Sequence, residues 1–248
     1  CQYQHAEYAA QIAMKMEILR ETLARTGLAG LPEMVVHSAE AWGYRNRIRL
    51  RVAVVDGLLR IGYNRRGSNE FLAIQECPIA APLLWRAAAA LVRIGAEDQA
   101  AGRWVREAEE IEFFSTGDEK KLQMTVFVRK ERMVGFDEFC EHLRKLMPEL
   151  VGAGVSLLSG GGSQRRVQKV RALQDWSATG LSYAAAGEEY WVSRGGFFQV
   201  NRFLVDELVQ VVTAGRAGGL AWDLFAGVGL FSRVLTRGFE QVVAVEAA

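Results

Sequence analysis

The chain has 248 residues, half of them apolar, and a formal net charge of +1. That composition excludes a disordered or fibrous polypeptide and leaves room for one large domain or two small ones. No apolar run approaches the roughly 20 residues of a membrane span, no signal peptide is visible, and the cysteines include no Cys-x-x-Cys pair, so a secreted disulfide framework is also excluded.

From the N-terminus, His5 to Thr26 spaces Tyr8, Ile12, Met16, Leu19 and Leu23 along one helical stripe, which Gly27 ends. After Pro32, the segment Trp42 to Val55 alternates with period two. Arg45, Arg47, Arg49 and Arg51 share one face, and Asn46, Ile48, Leu50 and Val52 the other. Gly57 turns the chain into a strand over Leu58 to Tyr63. Asn64-Arg65-Arg66-Gly67-Ser68 makes a second turn, and Glu70 to Ile74 pairs back. Between Arg45 and Arg66 the only acid is Asp56. Four like charges on one strand face repel unless phosphates or acids lie opposite. Polyanion binding through Arg45, Arg47, Arg49, Arg51, Arg65 and Arg66 is the expectation, and a solvated charged face is the alternative.

Pro82 opens an alanine-rich helix to Ile94, and Ile111–Ser115 and Leu122–Val128 flank Thr116-Gly117-Asp118 as a hairpin. A helix over Phe136 to Met147 puts Phe136, Phe139, Cys140, Leu143 and Met147 on one face, which makes Cys140 a core residue. Gly152 to Gly162 reads as loop around a short strand at Val155 to Leu158, and Gln164 to Arg171 as a smaller basic patch. The middle of the chain is thus an α+β domain. Asn201 is a natural N-cap for a helix over Arg202 to Thr213. Gln199, just before it, is either a loop amide or a ligand contact.

Leu220 to Phe225 reads as a short buried strand that includes Asp223. Gly227-Val228-Gly229 opens a helix over Leu230 to Arg237, and Gln241 to Val245 is a second strand leading to Glu246. Gly-x-Gly alone is weak, because a chain this rich in glycine yields about two or three such spacings by chance. The strand–loop–helix–strand context gives it meaning, as the nucleotide-binding half of a doubly wound sheet. A dinucleotide fingerprint would place a third glycine where Ser232 stands, and Asp223 would repel a pyrophosphate at the helix start. S-adenosylmethionine, with a sulfonium, an ammonium and a ribose diol, suits two flanking acids, with Glu246 accepting from the ribose hydroxyls. A dinucleotide site and a purely structural glycine turn are the alternatives.

Taken together, several segments resemble the bacterial RNA 5-methyluridine methyltransferases, in particular the iron–sulfur branch acting on 23S rRNA. They are Cys1-Gln-Tyr-Gln-His5, Trp42-Gly-Tyr-Arg-Asn-Arg47, Gly62-Tyr-Asn-Arg-Arg-Gly-Ser68, Ile74-Gln-Glu-Cys-Pro-Ile79, Phe198-Gln-Val-Asn201, Asp223 to Gly229 and Val243-Ala-Val-Glu246. They run in order along nearly the whole chain.

The resemblance implies an α+β central RNA-binding domain (residues 1–3 and 37–195) followed by the start of an α/β Rossmann-like class I methyltransferase domain (4–36 and 196–248), truncated at both ends. It implies S-adenosylmethionine as methyl donor, touched by Gln199, Asp223, Phe225, Gly227, Gly229 and Glu246. It also implies a 4Fe–4S cluster, with Cys1 and Cys77 as two of its ligands. The implied partner is RNA, 23S rRNA foremost, for a cytoplasmic monomer. In such enzymes a cysteine thiolate adds to uracil C6, C5 attacks the methyl group, and a base removes the C5 proton. No residue of this chain matches that nucleophile or base, so the chain alone is expected to be inactive. Where Ala226 stands, many relatives carry cysteine. The rival readings are a non-catalytic RNA-binding module with a vestigial methyltransferase segment, the related tRNA uracil-C5 methyltransferase, and a nicotinamide-dependent oxidoreductase.

Overall fold

The computed structural model describes residues 3–28, 30, 32–97, 100–131, 134–159 and 169–247. Cys1 and the 164–168 part of the basic patch lie outside them. The chain divides into two compact units, Cys1–Ala41 and Trp42–Ala248. In the first, α1 (Tyr8–Arg25) is the expected helix, closed by the Thr26 hydroxyl donating to the Leu23 carbonyl at 2.7 Å and by Gly27 at φ +80°. None of its residues is fully buried.

The second unit is built on a seven-stranded sheet. Its strands are β1 (Arg47–Val55), β2 (Leu58–Asn64), β3 (Phe71–Ala73), β4 (Glu110–Ser115), β5 (Leu122–Val128), β6 (Leu150–Ser159) and β7 (Lys169–Ser177), in the order β3-β2-β1-β4-β5-β6-β7. Neighbours are antiparallel except β5 and β6, which run parallel. A parallel pair needs a crossover, supplied here by α4 (Phe136–Leu146). With α2 (Pro82–Glu97) and α3 (Ala101–Glu107), α4 covers one sheet face.

The alternation in β1 sorts as the sequence dictates. Asn46, Ile48, Leu50 and Val52 are buried, and the intervening arginines lie on the opposite face. Ile111, Phe113, Met124 and Val126 continue the buried surface across β4 and β5. The alanine run of α2 contributes to packing as well as helix propensity: Ala87 and Ala88 are buried among these side chains. Gly102 lets α3 approach α2, since an added Cβ would lie 2.9 Å from the Ile94 carbonyl oxygen.

A second core gathers Leu181 and Tyr183 of β8 (Gly180–Ala185), Tyr190 and Val192 of β9 (Glu188–Ser193), and Val205 and Val209 of α5 (Val205–Thr213). Phe114, from the other face of β4, and Phe198 join it. The chain then runs through β10 (Gly218–Asp223), α6 (Ser232–Leu235) and β11 (Phe239–Ala244), with β10 and β11 parallel. This is the expected fold class, an α+β body followed by the start of a Rossmann-like sheet. No helix among the described residues is long and apolar enough to cross a membrane.

Four local expectations are corrected. The segment from Leu150 to Ser159 is one long strand rather than a loop around a short one, because Gly152 and Gly154 sit in the ladder where other groups pass close. The helix after Asn201 begins at Val205; Asn201 instead caps a preceding turn, its Oδ1 accepting the Phe203 N–H at 3.1 Å. The helix over 230–237 is a single turn, α6. Finally, β10 is not buried: Leu220 and Trp222 are 48% and 60% exposed. Strands β7, β8 and β9 had no sequence expectation of their own.

Candidate methyl-donor site and basic strand

The loop between β10 and α6 is closed by backbone bonds and by both acids. The Val245 N–H donates to the Asp223 carbonyl at 2.8 Å, and the Ala226 N–H to the Val245 carbonyl at 3.1 Å. Gly227 and Gly229 take φ of +54° and +79°, a region that side chains with a Cβ disfavour. Asp223 Oδ2 accepts both the Ser232 hydroxyl (2.6 Å) and the Ser232 N–H (3.2 Å). Glu246 Oε2 accepts the Gly227 N–H at 2.7 Å. A backbone amide that a pyrophosphate would seek therefore already faces a carboxylate. The charge balance of the loop disfavours an anion and suits a cationic or hydroxyl-bearing ligand.

Beside this loop lies a small open pocket. One wall is Phe197, Phe198 and Gln199, and the other runs from Phe225 to Val228 with Leu230 and Phe231. Phe197 and Phe225 are 72% and 91% exposed, so two aromatic faces border the opening. Phe198 is fixed from behind, its ring centroid 4.3 Å from Tyr183 and 6.2 Å from Phe114. Five of the six expected donor contacts thus lie in or beside one pocket: Gln199, Phe225 and Gly227 line it, Glu246 holds Gly227, and Gly229 closes the loop by donating to the Ala226 carbonyl at 2.7 Å. Asp223 serves the same loop through Ser232. Asn46 escaped the sequence-based list of site residues, although it is buried and holds the Gln199 carbonyl. The available signal was an amide on the apolar face of β1.

On the arginine face, the like-charge problem is solved largely by acids from β4. Arg47 pairs with Glu112 at 3.2 Å and Arg49 with Glu110. Their guanidinium groups lie 4.3 Å over Phe114 and 3.8 Å over Phe127, a stacking that adds to the pairing. Burial lowers the Arg47 pKa, partly opposed by Glu112. Arg51 donates to Asn64 Oδ1 (2.7 Å) and to the Asn69 carbonyl (3.0 Å), fixing the β2–β3 turn. On that turn Arg65 pairs with Glu70 at 3.0 Å, and Arg66 is exposed. Arg45 bridges by its backbone to Ala80 on one side and Asn201 on the other.

Cys140 is buried in the first core, as its helical face required, and burial pushes its thiol pKa up, with Asp137 and Glu141 adding to the shift. Cys77 is half-buried, its Sγ 3.4 Å from the Tyr63 hydroxyl. Burial and the Cys77 contact raise the Tyr63 pKa. Among the described residues no three His, Cys, Asp or Glu side chains cluster as metal ligands, so these residues do not by themselves fit a 4Fe–4S site.

No family model matches the sequence. Over 99% of its length the chain is 27% identical to a 23S rRNA (uracil(1939)-C(5))-methyltransferase of Pseudomonas entomophila, of which it covers 52%. It is 29% identical over its whole length to the enzyme of that name in Chromohalobacter salexigens, covering 50%. Among solved structures, 99% of the chain superimposes on 58% of the Pyrococcus abyssi tRNA (uracil-54, C5)-methyltransferase in complex with S-adenosyl-L-homocysteine, with a TM-score of 0.73 at 19% identity. That likeness is one of fold. The chain spans about half the length of the curated relatives it matches. Along its whole length the chain is similar to roughly half the length of proteins named as 23S rRNA uracil-C5 methyltransferases.

Proposed function

We propose that this chain is the donor-cradling and RNA-facing part of an S-adenosylmethionine-dependent methyltransferase that forms 5-methyluridine in RNA, with 23S rRNA, named for its relatives, as substrate. The observation that carries the reading is the Gly227–Gly229 loop, pinned by two carboxylates beside Gln199. In this reading Gln199, Asp223, Phe225, Gly227, Gly229 and Glu246 form the donor site. Glu246 keeps Oε1 for the ribose hydroxyls while Oε2 holds Gly227. The donor supplies an electrophilic methyl group. The chain's own part is to orient it and to exclude phosphates from the loop amides.

The proposed division of labour assigns residues 1–3 and 37–195 to a central RNA-binding domain, and 4–36 and 196–248 to the beginning of the catalytic domain, in a cytoplasmic monomer. No residue of this chain is assigned as nucleophile or base: Cys140 is buried with a raised pKa, a poor source of thiolate. Cys1 and Cys77 are proposed as two of the four thiolate ligands an iron–sulfur cluster needs, which is too few to hold one by themselves, and no chemical step passes through it. The test is calorimetry with S-adenosylhomocysteine against NAD on protein purified without oxygen. Binding of the former only and no methyl transfer by the 248-residue chain are expected. Tighter binding of NAD would overturn the assignment of the pocket.

For RNA, the candidate contacts are Arg45, Arg47, Arg49, Arg51, Arg65 and Arg66. Because Arg47 and Arg49 are largely covered and paired with carboxylates, whereas Arg65, though paired with Glu70, and Arg66 are exposed on the turn, the latter two are expected to release more counterions on binding. Their joint replacement by alanine should flatten the slope of log affinity against log salt by roughly one to two. Joint replacement of Arg47 and Arg49 should change it less. Slopes unchanged in both variants would make this a solvated surface.

A further inference from the structure

The segment Gly43–Asn46 lies between two others. On one side the Gly43 N–H donates to Pro78, the Arg45 N–H to Ile79, and the Ala81 N–H back to the Arg45 carbonyl, all at 2.8–2.9 Å. On the other side the Asn46 N–H donates to the Val200 carbonyl at 3.0 Å and the Arg202 N–H to the Tyr44 carbonyl at 2.9 Å. Backbone bonds alone therefore dock the strand carrying the arginines onto the chain that enters the pocket.

The Asn46 side chain does something else. It is fully buried, on the face of β1 otherwise occupied by Ile48, Leu50 and Val52. Its Nδ2 donates to the Gln199 carbonyl at 2.9 Å and to the Tyr183 hydroxyl at 3.3 Å. Its Oδ1 has no protein partner. An unpaired buried acceptor costs about 1–3 kcal/mol, so stability alone favours an apolar residue of similar volume here. What the amide provides in return is a fixed peptide plane between Gln199 and Val200, and with it the direction in which the Gln199 side chain enters the pocket.

We propose that Asn46 is a positioning residue for the donor site, acting through the Gln199 backbone; this rests on the pocket being that of the methyl donor. The amide orientation is set by its partner, since the reversed group would place oxygen against the carbonyl oxygen of Gln199. Asn46→Asp is therefore the sharpest substitution: nearly isosteric, it removes the donor and sets a carboxylate there.

The experiment is a double-mutant cycle read by calorimetry with S-adenosylhomocysteine, with Asn46→Asp introduced into the wild type and into Gln199→Ala. Affinity is expected to fall about tenfold in the first background and less than about twofold in the second, because contacting residues couple non-additively. Melting temperature should fall equally in both backgrounds. If Asn46→Asp does not melt cooperatively, Asn46→Ser, whose hydroxyl is too short to reach the carbonyl, takes its place in the same cycle. Equal fold-losses in both backgrounds, or none in either, would refute the positioning role. A wild type that binds no S-adenosylhomocysteine would instead remove the donor-site reading and this inference with it.

Discussion

Replacing Arg202 with leucine is expected to lower the free energy of unfolding by about 3 kcal/mol, because it leaves a carboxylate without its cation. The Arg202 side chain is only 12% exposed. Its Nε donates to the Gly43 carbonyl at 2.8 Å, and its Nη1 donates to the Gly117 carbonyl at 3.0 Å and to Glu119 Oε1 at 2.6 Å. The other oxygen of Glu119 accepts the Leu83 N–H at the start of α2, at 2.7 Å. One guanidinium thus joins the β4–β5 turn, the segment before β1 and the chain after the pocket. For a protein of this size the loss corresponds to a fall of about 6–12 °C in Tm. Arg202→Lys keeps the charge but not the planar fork, so it should lose about half as much. Urea melts of both variants check this, and a loss under about 1 kcal/mol for leucine would show the junction to be held elsewhere.

The second large effect concerns the ligand. Glu246→Ala is expected to weaken S-adenosylhomocysteine binding by about 10- to 100-fold, since in the proposed donor site the free carboxylate oxygen would accept one charge-assisted hydrogen bond from the ribose, worth about 1.5–3 kcal/mol. Calorimetry measures it directly. Glu246 is exposed and on the sheet's margin, so global stability should barely change. Affinity within about twofold of the wild type would mean that the carboxylate serves the loop alone.

Legibility in the sequence followed burial. The alternation of β1 was readable because a single face of it is covered. The same pattern in Glu110-Ile111-Glu112-Phe113 held the partners of Arg47 and Arg49, a signal that appears only once the two strands are paired. Strand β7 gave no alternation because nearly all of it is exposed on both faces. The glycines of β6 read as loop for the opposite reason: the strand is buried, and Gly154 is where the Arg194 side chain crosses it. Apolar composition suggested that β10 is buried, which its exposure contradicts.

At the site, Asp223, Gly227, Gly229 and Glu246 were legible as a spacing pattern. Their hydrogen bonds to their own loop were not, and neither was the bond from Asn46 to Gln199 across 153 residues of sequence.

Those loop bonds bear on the thermodynamics of whatever the pocket receives. A glycine-rich turn left to itself samples many backbone states, and a ligand that had to select one would lose affinity to that ordering. Here Ser232 on Asp223 and Gly227 on Glu246 select the state during folding, so the ordering entropy belongs to the protein's own stability. The cradle is preorganised, and its complement of contacts is available to binding without that deduction.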